Sequence, residues 1–318
     1  MRQISPIIIN KKILLQQKII KLKKQKNAVI LAHYYQLPEI QEIADFVGDS
    51  LELSRKAAET EAEIIVFAGV YFMAETAKIL NFNKKVLVPD VNAGCSLADG
   101  CPPDKFREFL KDYPNHKVVT YINCSAEIKT MSDYVCTSSN AVKVINSIPK
   151  EDKIVFAPDK NLGNYLIKET GREMVLWNGS CVVHEAFSLE KLIDLYQKNP
   201  DAVIVAHPES ETHILKTAHY IGSTSGMINY IKSSPEIKFI IATESGILHK
   251  MKHEVPHKTL IPAPSKEDNS CACSECAFMK MNTLEKIYNC LLNEFPEVKL
   301  DRNLVDKARI PIEKMLQC

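Results

Sequence analysis

The chain of 318 residues repeats itself three times, and that periodicity limits its fold more than any other feature. An apolar run ending in polar residues occurs as "KNAVILAHYYQ" (26–36), "NHKVVTYINCS" (115–125) and "PDAVIVAHPES" (200–210). Superposing His33, Tyr121 and His207 gives spacings of 88 and 86 residues. The next segments, "ADFVGDSLELSRKAAE", "SDYVCTSSNAVKVINS" and "AHYIGSTSGMINYIKS", keep that register, because Ser50, Ser138 and Thr224 are also 88 and 86 apart. A second apolar run follows in each copy ("EIIVFAGVYFMAE", "KIVFAPDKNLGNY", "KFIIATESGILHK"), and a third closes it ("KVLVPDVNAGCS", "EMVLWNGSCVV", "TLIPAPSKEDNSCACSEC").

Short apolar runs alternating with helical patterns predict an α/β fold: in each copy a three-stranded parallel sheet with right-handed crossovers. Three such pseudo-symmetric α/β sandwich domains are expected to form a triangle with the active site at its centre. The boundaries read as 1–100, 101–186 and 187–282, with C-terminal helices over 283–318 packing back on the first repeat. The basic, amphipathic start is Ser-poor with apolar residues at helical spacing, which favours a packed first helix over a transit peptide.

Composition narrows the classes. The chain is 46% hydrophobic and 25% charged with a net charge of +1, so it offers no electrostatic footprint for nucleic acid. Its longest apolar runs, such as "IIVFAGVYFMA", are too short to cross a bilayer. Ten cysteines without a secretory leader point to a reducing interior, cytoplasmic or a plastid stroma, where thiols serve metals or the core.

Three of those cysteines crowd into "CACSEC" (271–276). Taken alone, the cluster is open to three readings: a metal clip, a redox disulfide, or a fragment of a distant site. A zinc site usually carries two close pairs of ligands, and no second pair exists. The repeat supplies the partners instead. Cys95 and Cys181 follow the last strand of their copies 86 residues apart, and the third copy reaches Cys271, Cys273 and Cys276 at 90 to 95. Each copy thus delivers a cysteine to the carboxyl end of its last strand, where ligands gather in open α/β sheets. Three thiolates with no obvious fourth suit a 4Fe-4S cluster with one open iron, a Lewis acid that assists loss of water. The bland alternative is that Cys95 and Cys181 are small buried hydrophobes.

The first-strand ends place His33, Tyr35, Tyr121, Asn123, His207 and Glu209 on the same rim, with Glu209 the only carboxylate and a candidate proton acceptor. Ser50, Ser138 and Thr224 stand where a loop turns into a helix, as N-caps or first-turn residues. Three helix starts aimed at one centre would receive a small molecule with several negative groups, a dicarboxylate or phosphate ester.

The stretches "LAHYYQLPEIQEIADFVGDS", "VPDVNAGCSLADGCP", "TYINCSAEIKT", "CTSSNA", "PDKNLG", "WNGSCVVHEAF", "AHPE", "IGSTSGM", "ATESGILHKM" and "CAFMKMNTLE" run in order along nearly the whole chain, and in them it resembles the quinolinate synthase family of NAD biosynthesis. The resemblance implies three pseudo-symmetric domains, each giving one cysteine to a 4Fe-4S cluster with an open iron. It implies condensation of iminosuccinate with dihydroxyacetone phosphate, and a functional link to an L-aspartate oxidase or dehydrogenase supplying iminosuccinate. Carried over by motif, Cys95, Cys181 and Cys276 are the cluster ligands, Cys276 because it immediately precedes "AFMKMN". His33, Ser50, Tyr121, Asn123, Ser138, His207, Glu209 and Thr224 become substrate contacts, Tyr35 and Glu209 the candidates for proton transfer, and Tyr121 and His33 the residues that hold the reacting carbons in register.

One departure concerns the cysteine cluster. Many relatives carry C-x-x-C-x-x-C, whereas this chain has C-x-C-x-x-C with Ser270 where the first cysteine would fall, which argues against carrying over the regulatory disulfide of some relatives. Two rivals keep part of the pattern. Diphthamide-biosynthesis proteins also draw one cluster cysteine from each of three related domains, to cleave S-adenosylmethionine, but their substrate is a protein. An iron-sulfur sensor without turnover would need a recognition surface, for which "KIIKLKKQK" is the only candidate and reads more easily as a solvated helix face.

Overall fold

The computed structural model describes residues 6–266 and 274–318. It contains three four-stranded sheets, all parallel: β1 (Ala28–His33), β2 (Phe46–Gly48), β3 (Ile64–Ala68) and β4 (Lys85–Leu87); β5 (His116–Tyr121), β6 (Tyr134–Cys136), β7 (Lys153–Ala157) and β8 (Met174–Leu176); β9 (Val203–Ala206), β10 (Tyr220–Ile221), β11 (Lys238–Ala242) and β12 (Thr259–Pro262). The orders β2-β1-β3-β4, β6-β5-β7-β8 and β10-β9-β11-β12 are the same path drawn three times.

The expected three strands per sheet are therefore four. The additional edge strands, β2, β6 and β10, are two or three residues long, too short to register as an apolar run. What sets them is a side chain. Just before each, a polar residue bonds an amide of the neighbouring first strand: the Ile30 amide donates to Asp45 Oδ2 (2.8 Å), Val118 to Asp133 Oδ2 (2.8 Å) and Ile204 to His219 Nδ1 (3.0 Å). In return the amides of Asp45, Asp133 and His219 donate to the carbonyls of Ile30, Val118 and Ile204. The chain is clipped at the bend from both sides, so the few residues that follow fall into register with the first strand.

The middles of the central strands are apolar, as strands covered on both faces must be. Ile30, Leu31, Ile65, Val66, Val119, Val155, Phe156, Val205, Phe239 and Ile240 are all completely or almost completely buried. Each such side chain contributes about 1.5–3 kcal/mol by leaving water.

The chain divides into two compact units, one comprising residues up to 94 with 277–302, the other residues from 95 to 276 with 303–318. In the first, the helix Pro6–Gln25 packs beside the helix Leu284–Asn293 against the first sheet, with Ile19, Ile30, Val66, Leu284 and Ile287 in one core cluster. Lys23 of that first helix is buried and donates to Ile43 O and Asp45 Oδ1. The tail does not go to a single repeat. The helix Arg302–Gln317 lies with the second sheet: Asn140 Nδ2 donates to Met315 O (3.1 Å), Lys314 lies over the Tyr134 ring, and Lys143 bonds the carbonyl of Cys318. No helix among the described residues is long and apolar enough to cross a membrane.

Candidate active site

Cys95, Cys181 and Cys276 all fall in the second unit. Cys95 and Cys181 occupy equivalent places: each is the residue preceding a one-turn helix, Ser96–Asp99 and Val182–Glu185. The two segments are tied by Ser96, whose hydroxyl donates to Ser180 O (3.5 Å) and accepts from the Val182 amide (3.2 Å). The approach to Cys181 requires Gly179, because a side chain there would drive a Cβ into the carbonyl of Pro158. The Lys160 amide donates to the Gly179 carbonyl at 2.8 Å, fastening this turn to the end of β7.

The three sulfurs share one electrostatic neighbourhood. Burial pushes the Cys95 thiol up to about 12; the facing amides of Ala98 and Leu97 favour the thiolate without forming a regular capping bond, while the charges of Glu209 and Cys276 oppose it. Cys181 is raised well above its ordinary value, by burial first and then by Glu209 and Cys95. Buried thiols that repel each other as thiolates are stable as a trio only when a cation supplies the missing positive charge, and bound iron does so by deprotonating them outright. These residues fit a three-cysteine cluster. Among the described residues every cysteine is a free thiol; Cys101, Cys124, Cys136 and Cys290 are buried in the core. Cys271 and Cys273 lie outside the described residues.

Around the sulfurs the first-strand ends of the second and third sheets bring Tyr121, His207 and Glu209 together. Tyr121 donates its hydroxyl to Glu209 Oε1 at 2.5 Å. His207 Nδ1 accepts from the Glu209 amide (3.4 Å), which leaves Nε2–H to donate to Ser138 Oγ (3.1 Å). His207 Nδ1 also lies 3.8 Å from Glu209 Oε1, an ion pair whenever the imidazole is protonated. Burial alone would raise the Glu209 carboxyl, but the His184 charge and hydrogen bond, with His207 and Tyr121, hold it down at about 2.

His184 was not among the residues expected from the sequence. Its Nδ1 lies 3.2 Å from both Cys181 Sγ and Glu209 Oε2, and its Nε2 3.0 Å from Thr243 Oγ1. Cys181, His184 and Glu209 thus offer sulfur, nitrogen and oxygen within 4.8 Å of one another. The signal was present: His184 stands three residues after Cys181, on the same face of a helical turn. Asp159 is a second such residue. Its Oδ1 accepts from the Asn161 and Leu162 amides at the start of the helix Lys160–Thr170, while Oδ2 is buried without a hydrogen-bond partner. Burial, then Glu209, raises this carboxyl well above its usual range. Asn123 Oδ1 and Ser210 Oγ, on either side of the same strand ends, are likewise buried and unsatisfied. Orphaned polar atoms of this kind mark where a ligand completes the hydrogen bonding.

The helix-start residues divide. Ser50 and Thr224 are the first residues of the helices Ser50–Glu59 and Thr224–Ser233, but the caps are Asp49, in a full capping box with Glu52, and Ser223. Ser138 lies in the turn before the helix Ala141–Ser147 and bonds His207. In the first unit, His33 ends β1 with its ring edge-on to Tyr35 at 4.5 Å, and its Nδ1 accepts from the Tyr35 amide at 3.2 Å.

Residues 17–317 match the family model described as quinolinate synthetase A protein. Among curated proteins, the chain is similar to the quinolinate synthase of Gloeothece citriformis, 57% identical over 93% of this chain and 91% of the relative. It is similar to that of Microcystis aeruginosa at 57% over 93% and 92%, and to that of Chloroherpeton thalassium at 57% over 95% and 93%.

Proposed function

From the premise that the chain belongs to the quinolinate synthetase A protein family, we propose that it joins iminosuccinate to dihydroxyacetone phosphate, giving quinolinate, one phosphate and two waters. It is a quinolinate synthase; 57% identity over 93% of the chain is the observation that carries this. The finer assignments concern cofactor, residues and compartment. We assign Cys95, Cys181 and Cys276 to a 4Fe-4S cluster, supported by the raised thiols of Cys95 and Cys181, the first of which feels the charge of Cys276 and the second that of Cys95. When bound, the cluster supplies a Lewis-acidic iron that assists removal of a hydroxyl.

The remaining chemistry falls to side chains. A carboxylate held at about 2 is a weak base, so Glu209 acts first as a fixed anion that orients the Tyr121 hydroxyl and balances His184; it takes a proton once substrate displaces one of those partners. Tyr121 then presents its hydroxyl proton to a leaving or enolising oxygen. The His207–Ser138 bond fixes the imidazole, and Asn123 with Thr224 completes substrate contact in the second unit. Asp159, its carboxyl raised well above the usual range by burial and then by Glu209, offers its otherwise unpartnered Oδ2 to a bound polar group. His33, Tyr35 and Ser50 are assigned to substrate by the family motifs they occupy. Iminosuccinate arrives from an L-aspartate oxidase or dehydrogenase, and the ten cysteines suit a reducing interior, cytoplasmic or a plastid stroma.

Anaerobic purification with iron and sulfide counting, followed by assay of quinolinate from the two substrates, tests the reading. Four irons per chain with turnover are expected of a 4Fe-4S enzyme. A loaded protein without turnover would reject the activity, and turnover without iron would reject the cofactor.

A further inference from the structure

Cys276 differs from the other two sulfur donors in what holds it. Cys95 and Cys181 each open a helical turn, whereas Cys276 lies in irregular chain between exposed Glu275 and Ala277. Ser274, two residues earlier, is buried and held twice: the Ser245 amide donates to Ser274 O (3.0 Å) and Ser274 Oγ donates to Ala263 O (3.0 Å). The Cys276 amide then donates to Glu244 Oε1 at 3.0 Å. Glu244 is completely buried, and its other oxygen accepts from the Gly246 amide at 2.7 Å.

The repeat explains why this residue has that reach. Ala68, Ala157 and Ala242 end the equivalent strands β3, β7 and β11, and the second residue beyond each is Val70, Asp159 or Glu244. Asp159 spends both of its oxygen-accepted amides on its own helix start. Glu244, one methylene longer, keeps a bond within its own turn through Gly246 and extends the other oxygen to Cys276. Its neighbour Thr243 meets His184 Nε2, whose other nitrogen faces Cys181 Sγ. Two consecutive residues at the end of β11 therefore reach the surroundings of two of the three cysteines.

We propose that Glu244 is the positioning residue for Cys276: its buried carboxylate fixes where the third thiolate stands by holding that residue's backbone N–H. The proposal rests on the reading that Cys276 is a cluster ligand. The amides of Gly246 and Cys276 converge on this one carboxyl, and the bond to Cys276 replaces the helix start that locates the other two cysteines. The acceptor needs two oxygens at full glutamate length, so neither a shorter carboxylate nor an amide reproduces it.

The decisive variant is Glu244→Asp, which keeps the charge and the bond to Gly246 but falls short of Cys276. In the cluster-free wild-type chain, hydrogen exchange should show the Cys276 amide protected about tenfold to a hundredfold relative to the same amide in Glu244→Asp. The apo variant should alkylate Cys276 faster and, once reconstituted, should lose iron to a chelator about tenfold faster than wild type, with Cys95 and Cys181 alkylation unchanged. Glu244→Gln, which keeps one acceptor oxygen, should fall between the two. An unprotected Cys276 amide in the wild-type apoprotein overturns the proposal without any variant having to fold. Wild-type iron retention in a folded Glu244→Asp overturns it too. Cys276→Ala separates the two readings: if that variant keeps its iron, the ligand assignment fails; if it loses iron while Glu244→Asp does not, only the positioning role fails.

Discussion

The Tyr121 hydroxyl and the Glu209 carboxylate meet at 2.5 Å, joining the carboxyl ends of β5 and β9 across two copies of the repeat. Each residue alone is a polar group at a strand end; paired, they form a buried donor and anion whose orientation is set before substrate arrives. Tyr121→Phe removes the donor while leaving the ring, so quinolinate formation should fall at least about tenfold with iron content unchanged. Turnover equal to wild type in that variant would remove Tyr121 from the chemistry.

Cysteine substitutions should sort by environment. Cys95→Ala, Cys181→Ala and Cys276→Ala should each abolish cluster iron in anaerobically reconstituted protein, whereas Cys101→Ala, Cys136→Ala and Cys290→Ala, all in the core, should keep it. Cys271→Ala and Cys273→Ala should also keep it. The measurement is iron and sulfide per chain.

Gly179→Ala should cost about 1–3 kcal/mol, because the added methyl confronts the Pro158 carbonyl rather than a flexible side chain. Since Gly179 precedes Cys181 by two residues, the same change should lower iron content. Thermal melting and iron counting on one preparation check both.

Glu294 gives a pH signature outside the site. Hydrogen bonds from Lys26 and Lys85 depress its carboxyl to about 2. A depressed carboxyl stabilises the fold in full above its unfolded value near pH 4.5, and the contribution disappears as pH falls toward 2. Glu294 is partly exposed, so the effect is at most about 1 kcal/mol. Wild type should therefore be more stable than Glu294→Gln above about pH 5, with the gap closing on acidification; a gap that widens below that pH would refute the linkage.

The threefold pattern was legible because each copy repeats the same order of apolar runs at nearly constant spacing, and that order follows from burying both faces of a sheet. The edge strands were not, because Asp45, Asp133 and His219 define them through side chain to backbone bonds that leave no apolar run behind. The equivalence of Cys95 and Cys181 was legible from register; His184 and Glu244 were not singled out. Both lie inside quoted motifs, but their roles depend on which atoms meet in space: an imidazole between a sulfur and a carboxylate, and a carboxylate long enough to bond another segment's amide. The division of the tail was equally hidden, since two amphipathic helices carry no label saying which sheet each will cover.

That division bears on the order of biosynthesis. The first sheet and the helix Pro6–Gln25 leave the ribosome well before residues 284–293, which complete their packing, and the second sheet leaves it well before 303–317. Domains generally fold as they emerge, amino-terminal first; here each of these two sheets is closed by a segment translated long after its strands. The cluster proposed on Cys95, Cys181 and Cys276 can accordingly be completed only after the last of these three residues has been made.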